Sequence, residues 1–488
     1  MNNIFDKLKV YSDSDYYAFH MPGHKRNLDL MDGTSPYRID ITEIDGFDDL
    51  HHAEGILRDA QERAARVYHA DETHFLVNGS TVGILSAILG TTEKGDSILV
   101  ARNCHKSVYH AIYLSELDPV YLYPKFDTEQ GLSTEIDAAD VQKALEEHPK
   151  IRAVMIVSPT YDGVVSDIEK IAEIVHAKGC PLIVDEAHGA HFGFDPYFPK
   201  SANIYGADLV INSLHKTLPA LTQTALLHVN GDMVKRRKVK QYLDMLQTSS
   251  PSYILMASID ACIGMLEETL ETHSDARSDY KYKNIFSEYA NRIEALRKDL
   301  KRLKYLKIIQ TDNTDRYDRS KFVISVKHAP MSSHELYEIL LHRYHLQMEM
   351  LAGTYVLAMT TVGDTQEGLD RLRDALLEVD KEIDTRQGRP AAIETDLPLS
   401  GRQPALEKVW TIAEAVNRRD KIQKRSFEDS IGCISVEYAY LYPPGSPLIV
   451  PGERITKEAV EILHWYQEHD FSIEGLQSED GIEVWIDG

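Results

Sequence analysis

An α/β fold built on a mainly parallel sheet, followed by a smaller α+β domain and a C-terminal α+β domain, is predicted by three features of this sequence. Between residue 56 and about residue 230, short apolar strands alternate with amphipathic helices. Because helices rather than tight turns separate these strands, they need crossover connections, which give parallel pairing and helices on both faces. The chain of 488 residues also exceeds what one hydrophobic core usually organises, so two or three domains are expected.

The elements follow in order. Residues 1 to 55 are rich in Asp, His, Gly and Pro without sustained periodicity, and are expected to form an extended arm of the kind that crosses onto a partner subunit. From there Ile56, Leu57, Ala60, Ala64 and Val67 recur at helical spacing. Strands are expected over 74–78, 97–101, 119–123, 152–158, 181–185, 208–212 and 224–229, with helices over 81–90, 106–116, 137–147 and 167–178, in a large domain spanning 56–265. Helical patterns over 233–247 and 252–272 lead into a charged helix near 278–303. Strands over 321–327 and 355–361 then flank a helix over 333–343 in a smaller domain, 266–385. After a helix over 365–383, residues 386–403 carry Gly388, Pro390, Pro398 and Gly401 and read as a linker to a C-terminal domain, 404–488.

Composition removes several classes of function. Hydrophobic residues at 43% and charged residues at 27% are near globular averages, which excludes a disordered or fibrous chain. The 53 Lys and Arg against 77 Asp and Glu leave a formal charge of −24, which repels polyphosphate, so no nucleic-acid partner is expected. Cys104, Cys180, Cys262 and Cys433 form no CxxC pair and read as reduced thiols of a cytoplasmic protein. No stretch approaches the ~18 uninterrupted apolar residues of a membrane span, and the N-terminus lacks a secretory pattern. The basic run Lys235 to Lys238 reads as a solvated helix face.

Chemistry enters at the strand ends. The apolar strand Pro181 to Val184 ends in Asp185-Glu186-Ala187-His188-Gly189, and the next, Ala207 to Asn212, runs into Ser213-Leu214-His215-Lys216. Ligands of open α/β sheets sit at the carboxyl ends of strands. Taken singly, Asp185 reads as a cap and Lys216 as a surface lysine; at equivalent strand ends they share one rim. That pairing suits pyridoxal phosphate, whose aldehyde takes a lysine amine and whose ring nitrogen needs an acid to keep it protonated. Asp185 would hold that proton through a charge-assisted hydrogen bond.

The phosphate gives an independent check, since such an anion favours a helix N-terminus. Asn78-Gly79-Ser80-Thr81 follows a strand and opens an apolar helix, so Ser80 and Thr81 are candidates for it, with Ser213 and His215 adding contacts. His105, in Asn103-Cys104-His105-Lys106-Ser107 after strand 97–101, is a candidate to stack on the ring opposite Ala187, and the loop Ser158-Pro159-Thr160-Tyr161-Asp162 brings Thr160 or Tyr161 into reach. His188 and His191 lack a third ligand, so no metal is expected.

With these residues in place, the chain resembles the ornithine, lysine and arginine decarboxylases of the fold-type-I pyridoxal phosphate class. The likeness rests on Phe19-His-Met-Pro-Gly-His-Lys25, Asp48-Asp-Leu-His51, Asn103-Cys-His-Lys-Ser107, Val184-Asp-Glu-Ala-His-Gly189, Ser213-Leu-His-Lys216, Thr248-Ser-Ser-Pro-Ser-Tyr253 and Tyr442-Pro-Pro-Gly445, and covers essentially the whole chain in order. It implies that Lys216 attaches the cofactor, Asp185 pairs with the ring nitrogen, His105 stacks, and Ser80, Thr81, Ser213 and His215 hold the phosphate. It also implies that Ser250 and Tyr253, on a turn expected far from the chain's own phosphate loop, complete the site of a neighbouring subunit in a homodimer. The long enteric members begin with a response-regulator-like wing, and nothing ahead of residue 20 supplies one, so a dimer or pair of dimers is expected.

Decarboxylation is favoured over transamination because the strand 355–361 continues through Val362-Gly363-Asp364-Thr365 with no arginine before Arg371 to clamp a carboxylate. Lys216 or His188 is the candidate proton donor. A basic side chain on the substrate calls for a distal acid, for which Glu437, Asp364 and Glu349 are the candidates. Similarity to short Gram-positive-type members favours arginine, then lysine or ornithine, in polyamine-type metabolism. Another pyridoxal phosphate reaction, such as transamination or aldol cleavage, and a non-catalytic regulatory homologue are the alternatives.

Overall fold

The computed structural model describes residues 13–25, 27, 36–271, 282–310, 316–385, 403–418, 420–442 and 445–486. Seven strands, β1 (Glu72–Leu76), β2 (Ser97–Ala101), β3 (Asp118–Leu122), β4 (Ile151–Val157), β5 (Leu182–Asp185), β6 (Leu209–Asn212) and β7 (Ala225–Val229), form one sheet in the order β1-β7-β6-β5-β4-β2-β3. All pairings among β6, β5, β4, β2 and β3 are parallel, and β7 alone runs antiparallel to both its neighbours. Every residue of β5, β6 and β7 is buried, which is why these strands read as unbroken apolar runs rather than as alternation. The sheet is the centre of a large α/β domain, with helices including α1 (Ile56–Val67), α2 (Gly79–Thr91) and α3 (Lys106–Leu114) around it.

Helix α4 (Arg236–Leu246) packs along α2 in the opposite direction: a Cβ at Gly90, near the end of α2, would meet Val239, while Thr248, just past α4, donates to Asn78 Oδ1 at 3.1 Å. Helix α5 (Tyr253–Glu271) follows and packs on α1. The smaller sheet has the order β8 (Lys307–Ile309), β9 (Lys321–Ser325), β11 (Tyr355–Met359), β10 (Met350–Ala352), all antiparallel. Around it lie α6 (Ile285–Leu300), α7 (Ser333–Arg343) and α8 (Gln366–Thr385). Ser332 caps α7 by accepting from the Glu335 amide. The C-terminal part has two three-stranded sheets and one long helix, Lys457–Glu468, around Phe427, Ile449, Leu463 and Val484.

Two sequence expectations change. The arm is not merely extended: Tyr17–Phe19 pairs in parallel with Leu346–Met348, and Tyr17, Met21, Gly23 and Lys25 all bond to residues of this same chain. The turn at 248–253 does not stand far from the phosphate loop but beside it, because α4 runs back along α2 and delivers its C-terminal end to the N-terminus of α2. The three-residue strands β8 and β10 went unforeseen, since such lengths carry no periodicity. The linker between 386 and 402, residues 272–281 ahead of α6, and Pro443-Pro444 lie outside the described residues.

Candidate active site

The carboxyl ends of β1, β2, β4, β5 and β6 converge on one rim, and the segments leaving them line a cavity of about 240 Å³. Its wall includes Ser80 after β1, Asn103 and His105 after β2, Thr160, Tyr161 and Asp162 after β4, Asp185, Ala187 and His188 at and after β5, and Lys216 after β6. Sheet geometry alone therefore gathers residues spread over more than a hundred positions. The far wall comes from β10 and β11 through Met350, Thr354 and Tyr355, and from the C-terminal part through Leu441, Leu448, Ile462 and Tyr466.

Lys216 occupies the short helix Leu214–Thr217, and its Nζ lies 3.0 Å from His188 Nε2. Burial pulls the lysine below its ordinary range, against the attraction of Asp185 and Glu349. Asp185 is 3% exposed at the last position of β5, accepts the Ala187 amide at 3.1 Å, and is pushed up by burial against the pull of Lys216. A buried carboxyl in that state regains its charge when a cation is placed against it.

His105 is the N-cap of α3, its Nδ1 accepting the Ser107 amide at 3.3 Å while the ring lines the cavity. Cap and cavity wall are thus one residue. Burial, then Lys216 and Lys106, push it down to about 4, so it is a neutral, flat ring. His215 is pushed to about 4 by burial, and its Nδ1–H donates to the Thr224 carbonyl at 2.8 Å. Thr160 Oγ1 accepts from the Val164 amide at 3.0 Å and so holds its loop closed.

These residues fit pyridoxal phosphate on an observation independent of motif. Ser213 Oγ, directly ahead of the lysine segment, is buried with no hydrogen-bond partner among the described residues, and α2 begins at Gly79 with no side-chain cap on its first amides. Such a set wants an anion with several acceptor oxygens. Ser80 lies on the cavity wall and Thr81 follows in the first turn of α2. Ser250 and Tyr253 are on the neighbouring turn, where Tyr253 donates its hydroxyl to the Asp48 carbonyl at 2.6 Å.

The three acids named for a distal cation are placed differently. Glu349 accepts from the Met21 amide at 2.8 Å and from the Tyr161 hydroxyl, behind the cavity wall. Asp364 is spent on the Thr361 amide at 2.6 Å and the Tyr17 hydroxyl at 3.0 Å, and Glu437 on the amides of Gln477 and Glu483 at 2.9 and 2.7 Å. Apart from Asp185, the acid that lines the cavity among the described residues is Asp162, which accepts from the Tyr355 hydroxyl. No arginine lines it among the described residues; Arg371 instead donates to the carbonyls of Asp15 and Tyr344 at 3.2 and 3.1 Å and fixes the arm.

Two residues on the cavity's support had no sequence signal. Lys321 of β9 reaches His188 Nδ1 at 3.1 Å, and Arg102, at the end of β2, is buried against Glu453 of the C-terminal part. The arm also pins the lysine segment: the Gly23 amide donates to the His215 carbonyl at 2.6 Å, and Thr361 Oγ1 donates to the Gly23 carbonyl at 2.5 Å.

The model of the Orn/Lys/Arg decarboxylase major domain matches residues 2–339, and that of the Orn/Lys/Arg decarboxylase C-terminal domain matches residues 402–484. The chain is 36% identical to the uncharacterized protein YaaO of Bacillus subtilis, over 94% of this chain and 93% of the relative. It is 31% identical to an arginine decarboxylase of Bacillus subtilis, over 94% and 92%. The crystal structure of a Francisella novicida lysine decarboxylase superposes with a TM-score of 0.78 at 18% identity, covering 98% of this chain and 80% of that one. By the extent of these matches, this chain belongs to the Orn/Lys/Arg decarboxylase family.

Proposed function

We propose that this chain is a pyridoxal phosphate-dependent decarboxylase of a basic L-amino acid, with arginine the first substrate and lysine or ornithine next, releasing the amine and carbon dioxide. The observation that carries the substrate is the 31% identity, over almost the full length, to relatives named arginine decarboxylase. The placement of Lys216 and Asp185 on one rim supports the chemistry. When bound, the cofactor supplies an aldehyde for a lysine and a ring that accepts the electron pair released with carbon dioxide.

In this reading Lys216 would take the aldehyde, Asp185 would keep the ring nitrogen protonated, His105 and Ala187 would flank the ring, and Ser80, Thr81, Ser213 and His215 would hold the phosphate. The apolar wall of Leu132, Val157, Leu441, Leu448 and Ile462 keeps water from the departing carboxylate, whose charge is better dispersed than retained there. The proton for the product carbon comes from Lys216 Nζ, and His188 Nε2, 3.0 Å away, exchanges protons with it. Asp162 receives the distal cation of the substrate. The working unit is a homodimer in the cytoplasm, with Ser250 and Tyr253 at its interface. The test is to incubate the purified chain and pyridoxal phosphate with arginine, lysine, ornithine and phenylalanine, and to measure carbon dioxide and amine. Amine from arginine above the others is expected. A keto acid instead would favour a transaminase, and no product from any would favour a non-catalytic homologue.

A further inference from the structure

Strand β1 lies at the edge of the large sheet, with β7 on one side. On its other side the outward peptide groups of Phe75 and Val77 are met by glutamine side chains. Gln61 of α1 accepts the Phe75 amide on Oε1 at 2.9 Å. Gln247, buried just past α4, donates from Nε2 to the Phe75 carbonyl at 3.4 Å and accepts the Val77 amide on Oε1 at 2.9 Å. A primary amide carries the donor and the acceptor of a peptide bond, and here it bridges a carbonyl and the amide two residues on, as a neighbouring parallel strand would. Gln247 thus extends the sheet by one peptide at the end of β1. Gln223 Nε2 donates to the Val77 carbonyl at 2.6 Å, so glutamines hold Val77 at both its peptide groups.

Val77 is the last residue before the loop that opens α2. Asn78 is the N-cap of that helix, a position whose side-chain oxygen ordinarily accepts from its own first turn. Instead this oxygen accepts the amide of Thr248, the residue after Gln247, at 3.1 Å, and α2 is left without a side-chain cap. The first amides of α2 have no intrahelical acceptor and so remain for an anion. The backbone that aims them is fixed from outside the helix by two consecutive residues, Gln247 on Val77 and Thr248 on Asn78.

We propose that Gln247 is a positioning residue for the phosphate of the cofactor: by holding Val77, and with it the approach to Asn78, it aims the amides of Gly79, Ser80 and Thr81. The inference rests on the proposed pyridoxal phosphate site and adds to it a residue that acts through the loop rather than on the phosphate. Loss of the side-chain amide leaves the buried Val77 N–H without its acceptor, and the loop must shift to satisfy it. Gln61 supplies the comparison, because it caps the same strand edge at Phe75, two residues further from the loop. If covering the edge were all that mattered, both glutamines would behave alike.

The experiment clears the full-length chain of cofactor with hydroxylamine and measures, by equilibrium dialysis, the dissociation constants of pyridoxal phosphate and of pyridoxal, which lacks the phosphate. The ratio of the two isolates the phosphate's share of binding. In the parent the phosphorylated form should bind more tightly. Gln247→Met, which keeps the length of the side chain and removes its amide, should shrink that preference by about tenfold or more, the worth of one hydrogen bond to a charged group. Gln61→Met should leave it within about twofold, although it too takes the acceptor from an outward amide of β1. An unchanged preference in Gln247→Met, or an equal fall in Gln61→Met, overturns the proposal and leaves the cofactor site standing. A parent that does not prefer pyridoxal phosphate overturns both. If circular dichroism shows that Gln247→Met does not fold, Gln223→Met, which removes the other hold on Val77, decides by the same ratio: a fall supports the proposal, and an unchanged ratio overturns it.

Discussion

Arg102 Nη2 donates to Glu453 Oε2 across 2.9 Å, and both side chains are 1% exposed. The arginine leaves the end of β2, three residues ahead of His105, and its Nη1 also donates to the Pro447 carbonyl at 2.8 Å. Its partner belongs to the part of the chain that contributes Ser446 and Leu448 to the cavity wall. One buried ion pair thus ties the rim that carries the cavity-lining His105 to the segment that closes over it.

Removing one member of that pair leaves an unpaired buried charge. Glu453→Ala should cost about 3–5 kcal/mol, read as a fall in the urea midpoint of the full chain. The double variant Arg102→Met, Glu453→Met should lose less than the sum of the single changes, because no lone charge remains. Additive losses would mean the two side chains act independently.

Asp185→Asn should retain bound pyridoxal phosphate while losing two or more decades of kcat, about 2.7 kcal/mol of barrier or more, since an amide cannot hold a proton on the ring nitrogen. Absorbance of the bound cofactor together with initial rates of carbon dioxide release checks this. Activity within a few-fold of the parent would leave Asp185 only its backbone contact with Ala187.

Much of this site was legible because parallel strands, buried on both faces, announce themselves as apolar runs and end where ligands bind. Asp185 and Lys216 could therefore be paired from sequence, and so could His105 and Ser80. Lys321 could not: 133 positions separate it from His188, and Asp318-Arg-Ser-Lys has no pattern that distinguishes it from a solvated turn. The acids failed for a related reason. Glu437, Asp364 and Asp162 look alike in a chain with 77 acids, and only the fold shows that the first two are spent on their own backbones while the third faces the cavity. The place of the turn at 248–253 depended on the direction in which α4 packs on α2, which amphipathicity does not encode.

Gly23 and Gly363 meet where the arm crosses the lysine segment. A Cβ at Gly23 would stand 2.7 Å from the Leu218 carbonyl oxygen and 2.8 Å from its nitrogen, backbone atoms with no rotamer to yield. Gly23→Ala should therefore displace the 215–218 backbone. Misplacement of a reacting group by about an ångström can cost on the order of 10²-fold in rate, so a comparable fall in kcat is expected, with slower uptake of the cofactor. Equal rates of uptake in parent and variant would show that the arm does not position Lys216.

His228, on β7, is a buried histidine whose Nδ1 lies 2.7 Å from Thr73 Oγ1, and burial pushes it down to about 3. Its folded pKa is depressed, so the unfolded chain takes a proton near 6.5 that the folded chain refuses. The stability it contributes is complete above about 6.5 and is lost as pH falls towards about 3. Glu186, pushed up to about 7 by burial, has the opposite sign over part of that window, so the comparison must be between variants. His228→Gln should show a shallower loss of its urea midpoint between pH 7 and 4 than the parent. Parallel curves would remove this histidine from the acid response.

Asp162 gives the sharpest test of how the substrate is read. Its carboxyl lines the cavity with Tyr355 donating to Oδ1, and burial raises its pKa against the pull of Lys321. A guanidinium placed there would hold it ionised and gain a charge-assisted pair, worth about 1.5–3 kcal/mol, or about 10- to 100-fold in affinity. Asp162→Asn should raise KM for arginine by about that factor while kcat stays within a few-fold, because the proposed role of the group is to bind the distal cation and not to move the proton that Lys216 and His188 handle. Citrulline, which is neutral at the same position, should lose nothing, so the preference for arginine over citrulline should shrink by the same factor. An unchanged KM for arginine would move the distal site elsewhere without touching the assignment of Lys216 and Asp185. A fall in kcat at constant KM would instead place Asp162 with Lys321, whose charge pulls on it, and so with the His188 that Lys321 touches.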